Sequence, residues 1–157
     1  MHNSQYEAAV SVYERAIAAA QSAPPDAETN AAISKMLVNE GNCFLKLHRP
    51  EDAEAAYAMA APLSPTPATA YFNLCAVYYN TGKTANALAA CDRVIEIDPA
   101  KADAYFIKGS LLVSEATLAN GKYTAPAGTI EALNKYLELA PNGAHAADVK
   151  QMLDFLK

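Results

Sequence analysis

Gly41, Cys75 and Gly109 recur at intervals of 34 residues, each within a related segment: LVNEGNCFLKL, YFNLCAVYYNTG and YFIKGSLLVSEA. Ala53 with Ala87, Tyr57 with Cys91, and Pro65 with Pro99 keep the same interval. A unit of this size cannot bury its apolar face alone, so the period predicts helical hairpins stacked into an all-α array. The local pattern agrees. Tyr71, Leu74, Cys75 and Tyr78 fall at i, i+3, i+4 and i+7 on one side of a helix, and Ala87, Leu88, Cys91, Val94 and Ile95 form a second stripe. That second helix is expected from about Thr84 to Glu96, with Pro99 biasing Asp98 out of helical geometry. Thr66 and Pro67 read as an N-cap followed by a proline at the first helical position. Small residues at 41, 75 and 109, with Ala53 and Ala87 opposite, would let paired helices approach closely.

These residues resemble the tetratricopeptide repeat, a family of 34-residue helix-turn-helix units. Its pattern of aromatic, Leu, Gly, Tyr, then Ala, Phe, Ala, Pro is carried here by Tyr71, Leu74, Cys75, Tyr78, Ala87, Cys91, Val94 and Pro99, with cysteine in place of Gly and Phe. The preceding unit supplies Leu37, Gly41, Phe44, Ala53, Tyr57, Ala60 and Pro65, with Glu40 where leucine is usual. The following one supplies Tyr105, Gly109 and Leu112, with Lys108 at that same leucine position. The resemblance implies a right-handed α-α superhelix, a solenoid of antiparallel helix pairs with about eight helices, in one domain over residues 1–157. Its expected parts are a partial repeat helix at 3–23, repeats at 27–65, 67–99 and 101–141, and a capping helix at 143–157.

The third repeat departs from the period. In TIEALNKYLELAP, Thr129 stands for Ala87 and Pro141 for Pro99 at 42 residues instead of 34, so eight are extra. They lie near 119–128, within ATLANGKYTAPAGT, where Asn-Gly, Pro and Gly break a continuous helix. The expectation is a lengthened first helix followed by a solvated loop; the alternative is an arm presenting Tyr123. At the N-terminal end Ala9, Tyr13 and Ala16 have the pattern of a second repeat helix with no first helix before it, which suggests either a piece of a longer array or a solvent-facing N-cap helix. Asp26 is placed to cap a long helix running to about Leu47. At the other end Val149, Met152, Leu153 and Leu156 share a stripe opposite Lys150, Gln151 and Asp154, as a capping helix requires.

Several chemistries are disfavoured by the same residues. Net charge is −5 and the 12 Lys and Arg are scattered, which argues against nucleic acid and anionic membrane as partners. No apolar run approaches the roughly 20 residues of a membrane span. MHNSQYEAAV has neither a basic start nor an unbroken apolar stretch, so it does not read as a signal peptide. The compartment stays open between cytoplasm and, after removal of an upstream leader, periplasm. The Ala-rich, Lys-poor composition and the end LAPNGAHAADVKQML resemble array ends in bacterial envelope-associated repeat proteins. Cys43, Cys75 and Cys91 are odd in number and lack CxxC spacing, which excludes a complete disulfide framework and leaves small buried thiols as the reading. His2, His48 and His145 lack ligand-like companions, so neither metal nor cofactor is expected. Gly82-Lys83-Thr84 spells the end of a phosphate loop, but Val77 occupies its first glycine position and both flanks are helical. Gly82 instead suits a left-handed helix end, and His48, its equivalent one repeat earlier, is expected to have positive φ as well. HExxH and GxSxG are missing, and the chain reads as non-enzymatic.

A second apolar stripe on the first helices carries the functional expectation. Val38 and Leu45, Phe72 and Tyr79, and Phe106 and Val113 form i, i+7 pairs beside the hairpin-packing residues, with Asn42, Ala76 and Ser110 between them and Lys35, Lys46, Asn80 and Asp103 at the margins. The resemblance implies that these positions, with Asn73, line a concave groove for a peptide or partner helix. Asn42 and Asn73 match two asparagines of the family's chaperone-tail clamp, but Val38, Asp103 and Ile107 stand at its basic positions, so an acidic chaperone tail is not the expected ligand. The expected function is a scaffold or adaptor module for an apolar or amphipathic segment of another protein. The alternative is self-assembly, in which the first helix or the Met152 helix of one copy fills the groove of another.

Overall fold

The computed structural model describes residues 2–22, 24–119 and 121–157; Met1, Ala23 and Asn120, with the side chains of His2, Ala119 and Lys122, lie outside it. The expected end of the first segment at Ala23 and the Asn120 half of the Asn-Gly break therefore fall outside the described residues. Eight α-helices appear among those described: α1 (His2–Gln21), α2 (Ala27–Lys46), α3 (Pro50–Ala60), α4 (Ala68–Asn80), α5 (Thr84–Ile97), α6 (Ala102–Ser114), α7 (Thr129–Leu139) and α8 (Ala146–Phe155). A single 3₁₀ turn at Ala61–Leu63 extends α3. The helices stack as a right-handed α-α superhelix.

Its curvature follows from which helices touch. Packing is heaviest within the hairpins α2/α3 and α4/α5, followed by α1/α2 and the hairpin α6/α7, and each second helix meets the first helix of the next unit. First helices also touch, α4 with α6 and α6 with α8, whereas no comparable packing joins α3 to α5 or α5 to α7 among the described residues. From α4 onward the first helices are thus drawn together and the second helices splayed, while α2 and α4 are bridged by α3 and the 3₁₀ turn that both touch. The inner wall belongs to α2, α4 and α6.

The hairpin turns are built the same way twice. His48 has φ 57 and Gly82 φ 71, both left-handed as expected. His48 N–H donates to Leu45 O at 3.1 Å and Arg49 N–H to Phe44 O at 2.9 Å; Gly82 N–H donates to Tyr79 O at 3.2 Å and Lys83 N–H to Tyr78 O at 2.9 Å. This pair of reversed bonds satisfies carbonyls that the ending helix leaves open. Asp26 caps α2, its carboxylate accepting from Thr29 N–H at 2.7 Å, and that bond holds the carboxyl below its usual range. The α4 start differs from expectation: α4 begins at Ala68, and Thr66 makes no capping bond. Pro67, with φ −75, occupies the cap position and contributes its carbonyl to Tyr71 N–H at 3.1 Å, while Thr66 N–H turns back to Ser64 Oγ at 3.1 Å.

Within each hairpin the close approach repeats at one contact. A Cβ on Gly41 would lie 2.5 Å from the Tyr57 ring, and one on Gly109 would lie 2.6 Å from Leu133 Cδ2, so glycine leaves the room that these large, fully buried partners fill. In the middle hairpin the same two positions are Cys75 and Cys91, and they are joined by a disulfide with Cα atoms 5.1 Å apart. The expectation of free buried thiols is therefore corrected for this pair. Antiparallel pairing places residues 16 apart face to face, which linear spacing does not reveal. Cys43 remains a half-buried free thiol.

The inserted residues are corrected too. α6 has 13 residues, as α4 does, so it is not lengthened. The extra chain instead forms an antiparallel hairpin, β1 (Thr117–Ala119) and β2 (Lys122–Thr124), pairing Thr117 with Thr124 and Leu118 with Tyr123. Threonine, leucine and tyrosine suit a pleated strand, and Gly121 at φ 76 provides the reversal. Thr129 Oγ1 then donates to Pro126 O at 2.6 Å as α7 begins.

Candidate functional site: the concave face

The ten expected groove residues fall into two groups, and the difference is made by α8. Val38, Phe72, Ala76 and Phe106 are each half-buried against one continuous core cluster that runs from Val10 to Leu111. All four are anchored on that one cluster. Leu45 and Tyr79, two turns beyond Val38 and Phe72 on α2 and α4, are the exposed members at 39% and 37%. Asn73 is half-buried on α4.

Asn42 is exposed on α2, and its side-chain oxygen accepts the Tyr57 hydroxyl at 2.8 Å. Burial pushes the Tyr57 phenol up to about 12, so it remains a donor throughout the physiological range. The bond fixes one end of the carboxamide and leaves its N–H groups for an outside acceptor. Phe72 carries the Lys101 ammonium 4.4 Å above its ring. Together with Val94 and Asp98 these residues line a small depression of about 110 Å³. Phe72 thus serves the junction between the second and third hairpins as well as the open face.

The third-hairpin residues are covered. The Phe106 ring stacks on His145 with centroids 3.8 Å apart and planes 5° from parallel. His145 is placed there by its own N–H, which donates to the Tyr136 hydroxyl at 2.9 Å. Ser110 is only 8% exposed; its hydroxyl donates to Phe106 O at 2.8 Å and lies 3.8 Å from Met152 Sδ on α8. Val113 packs in the cluster that includes Met152, Leu153 and Leu156. The face left open is therefore that of α2 and α4.

One hollow was not foreseen. Between the start of α4 and the middle of α2 lies a depression of about 340 Å³, lined by Ser34, Lys35, Val38, Asn39, Thr69 and the Ser64–Thr66 link among others. Lys35 and Val38 were singled out from the stripe; the link was not, because its place against α2 depends on how the two hairpins dock. Ser34 Oγ, donating 2.8 Å to Ala60 O, ties the hollow's floor to α3.

The sequence matches the tetratricopeptide repeat over residues 1–66 and again over residues 68–101. The chain belongs to the tetratricopeptide repeat family. The third hairpin, with its inserted strands, lies outside the matched stretches. Among curated proteins none has a significantly similar sequence. Solved structures share the fold at low identity. MamA is 22% identical with a TM-score of 0.69, covering 96% of this chain and 82% of its own. YrrB, described as a tetratricopeptide repeat protein with an unusual peptide-binding site, is 21% identical with a TM-score of 0.69, covering 94% of this chain and 67% of its own. The first tetratricopeptide domain of Spaghetti (RPAP3), solved with the HSP90 peptide SRMEEVD, is 18% identical with a TM-score of 0.64, covering 79% of this chain and 95% of its own. The tetratricopeptide repeat fold is a non-catalytic scaffold for protein–protein interaction, and no helix among the described residues is long and apolar enough to cross a membrane.

Proposed function

We propose that this chain is an adaptor that holds a peptide or helix of a partner protein against the open face of α2 and α4, without catalysis of its own. The observation that carries the reading is the unequal closure of the inner wall: α8 covers Phe106, Ser110 and Val113, while Leu45 and Tyr79 stay exposed beside Val38, Phe72 and Ala76. Asn42 supplies free N–H donors and Asn73 a second carboxamide, enough to fix register on a backbone. The fold's use in YrrB and in Spaghetti supports a peptide as the ligand class. Val38, Asp103 and Ile107 at the clamp's basic positions favour an apolar or amphipathic segment over an acidic tail, and the net charge of −5 disfavours nucleic acid.

Titration of fluorescent amphipathic peptides tests this. Phe72→Ala with Tyr79→Ala should weaken a binding peptide about 10-fold or more, as loss of aromatic anchors does. Phe106→Ala should lower the melting temperature and leave affinity within about 3-fold, since its ring is already occupied by His145. Equal affinity for all variants would remove the groove.

Self-assembly is a second reading, favoured by α1. Its Ala9, Tyr13 and Ala16 are half-buried, whereas their equivalents Ala53, Tyr57, Ala60, Ala87, Cys91 and Val94 are all fully buried, and Val12 is 61% exposed. Light scattering showing a monomer at high concentration would exclude it.

A further inference from the structure

We propose that Cys75–Cys91 is a permanent structural crosslink, formed before α4 and α5 pack, and that this chain therefore matures in an oxidising compartment outside the reducing cytosol. The first argument is the contact itself. Gly41 with Tyr57 and Gly109 with Leu133 fill the hairpin crossing with one large side chain over none. The middle hairpin changes both ends of the same contact to cysteine, and the covalent bridge fills the crossing in their place. A thiol at only one of the two positions would face Tyr or Leu without the space that glycine leaves.

The second argument is burial. Both cysteines are 0% exposed, so neither sulfur can be reached in the folded protein without opening the hairpin. A bond so placed cannot serve as a rapid switch. Chemistry must precede packing: one cysteine thiolate attacks the disulfide of a thiol oxidant, giving a mixed disulfide and one oxidant thiol. The second cysteine then attacks the protein sulfur of that mixed disulfide, and the oxidant leaves as a dithiol carrying both electrons and both protons. Protein dithiol and oxidant disulfide have exchanged, and nothing else is consumed. Such oxidants act in secretory and periplasmic compartments, while cytosolic glutathione and thioredoxin hold thiols reduced.

The bond sits between Asn73 and Ala76 on α4, so it also pins the open face, but its test does not depend on any ligand. Titrating thiols in denaturant should find one in the protein made by export to an oxidising compartment and three after reduction, with Cys75 and Cys91 in one crosslinked peptide. Reductant added to the native protein should leave the bond intact, and reductant plus denaturant should break it. Pre-reduced protein should melt about 6–12 °C lower, as expected for a loop of this size in a chain of this length. The double variant Cys75→Ala, Cys91→Ala should lose all sensitivity to reductant. Three thiols in the exported protein, or equal melting of the oxidised and reduced forms, would overturn the proposal.

Discussion

Replacing Gly41 by alanine probes the hairpin crossing most sharply, because helix propensity and packing oppose each other there. Alanine is favoured over glycine within a helix by about 1 kcal/mol. Against this, the new methyl would lie 2.5, 2.8 and 2.9 Å from three ring atoms of Tyr57. That ring cannot withdraw: it is 0% exposed, and its hydroxyl is held by Asn42 at 2.8 Å. Overpacking of a filled core costs about 1–3 kcal/mol, and contact with a trapped ring belongs at the upper end. The net loss should be about 2 kcal/mol, a fall of about 4–8 °C in melting temperature. Gly109→Ala is the internal control. Its nearest obstacles are Leu133 Cδ2 at 2.6 Å and Cγ at 3.0 Å, and a leucine branch can rotate where a ring cannot, so its net change should be below about 1 kcal/mol. Tyr57→Leu in the Gly41→Ala background should recover about 1 kcal/mol relative to the sum of the single changes. Urea melts followed by helical circular dichroism measure all four. Gly41→Ala as stable as the parent would mean that α2 and α3 do not approach as described, and the packing account of the repeat would fail with it.

Two further changes test turns and charge. His48→Gly should stabilise by about 0.5–1 kcal/mol because a left-handed side chain is relieved, whereas Gly82→Ala should cost about 1–2 kcal/mol; thermal melts showing the opposite order would refute the turn assignment. Glu40 is 7% exposed and its pKa is raised, first by burial and then by Glu14, so the folded state holds its proton more tightly than the unfolded state. That contribution is fully present below the ordinary carboxyl value of 4.5 and is lost as pH rises through the higher folded value. Glu40→Leu should therefore raise the melting temperature at pH 7 by about 2–4 °C, roughly 1 kcal/mol, with the gap to the parent narrowing toward pH 4.

What sequence revealed here and what it hid divide along a physical line. The period located the turns at His48 and Gly82, since a left-handed residue is demanded wherever a helix must reverse within two residues. Asp26 and the limits of α5 were legible for the same reason: caps and prolines act on their neighbours. The disulfide was legible in principle but only through the repeat. Positions 41 and 57 touch, so 75 and 91 must touch, and changing both partners of one contact to cysteine is the signal that counting cysteines and their spacing overlooks. The β-hairpin escaped because eight extra residues with one Asn-Gly serve a loop or two short strands equally well. The covering of Phe106 depended on more distant facts. His145 reaches that ring because Tyr136, nine residues back on α7, fixes the backbone where α8 begins. Gly143 permits this path, since a Cβ there would lie 2.5 Å from the same Tyr136 hydroxyl. A stripe on α6 reads the same whether α8 lies across it or not, and so the extent of an open face is decided by the link between helices, where periodicity has nothing to say.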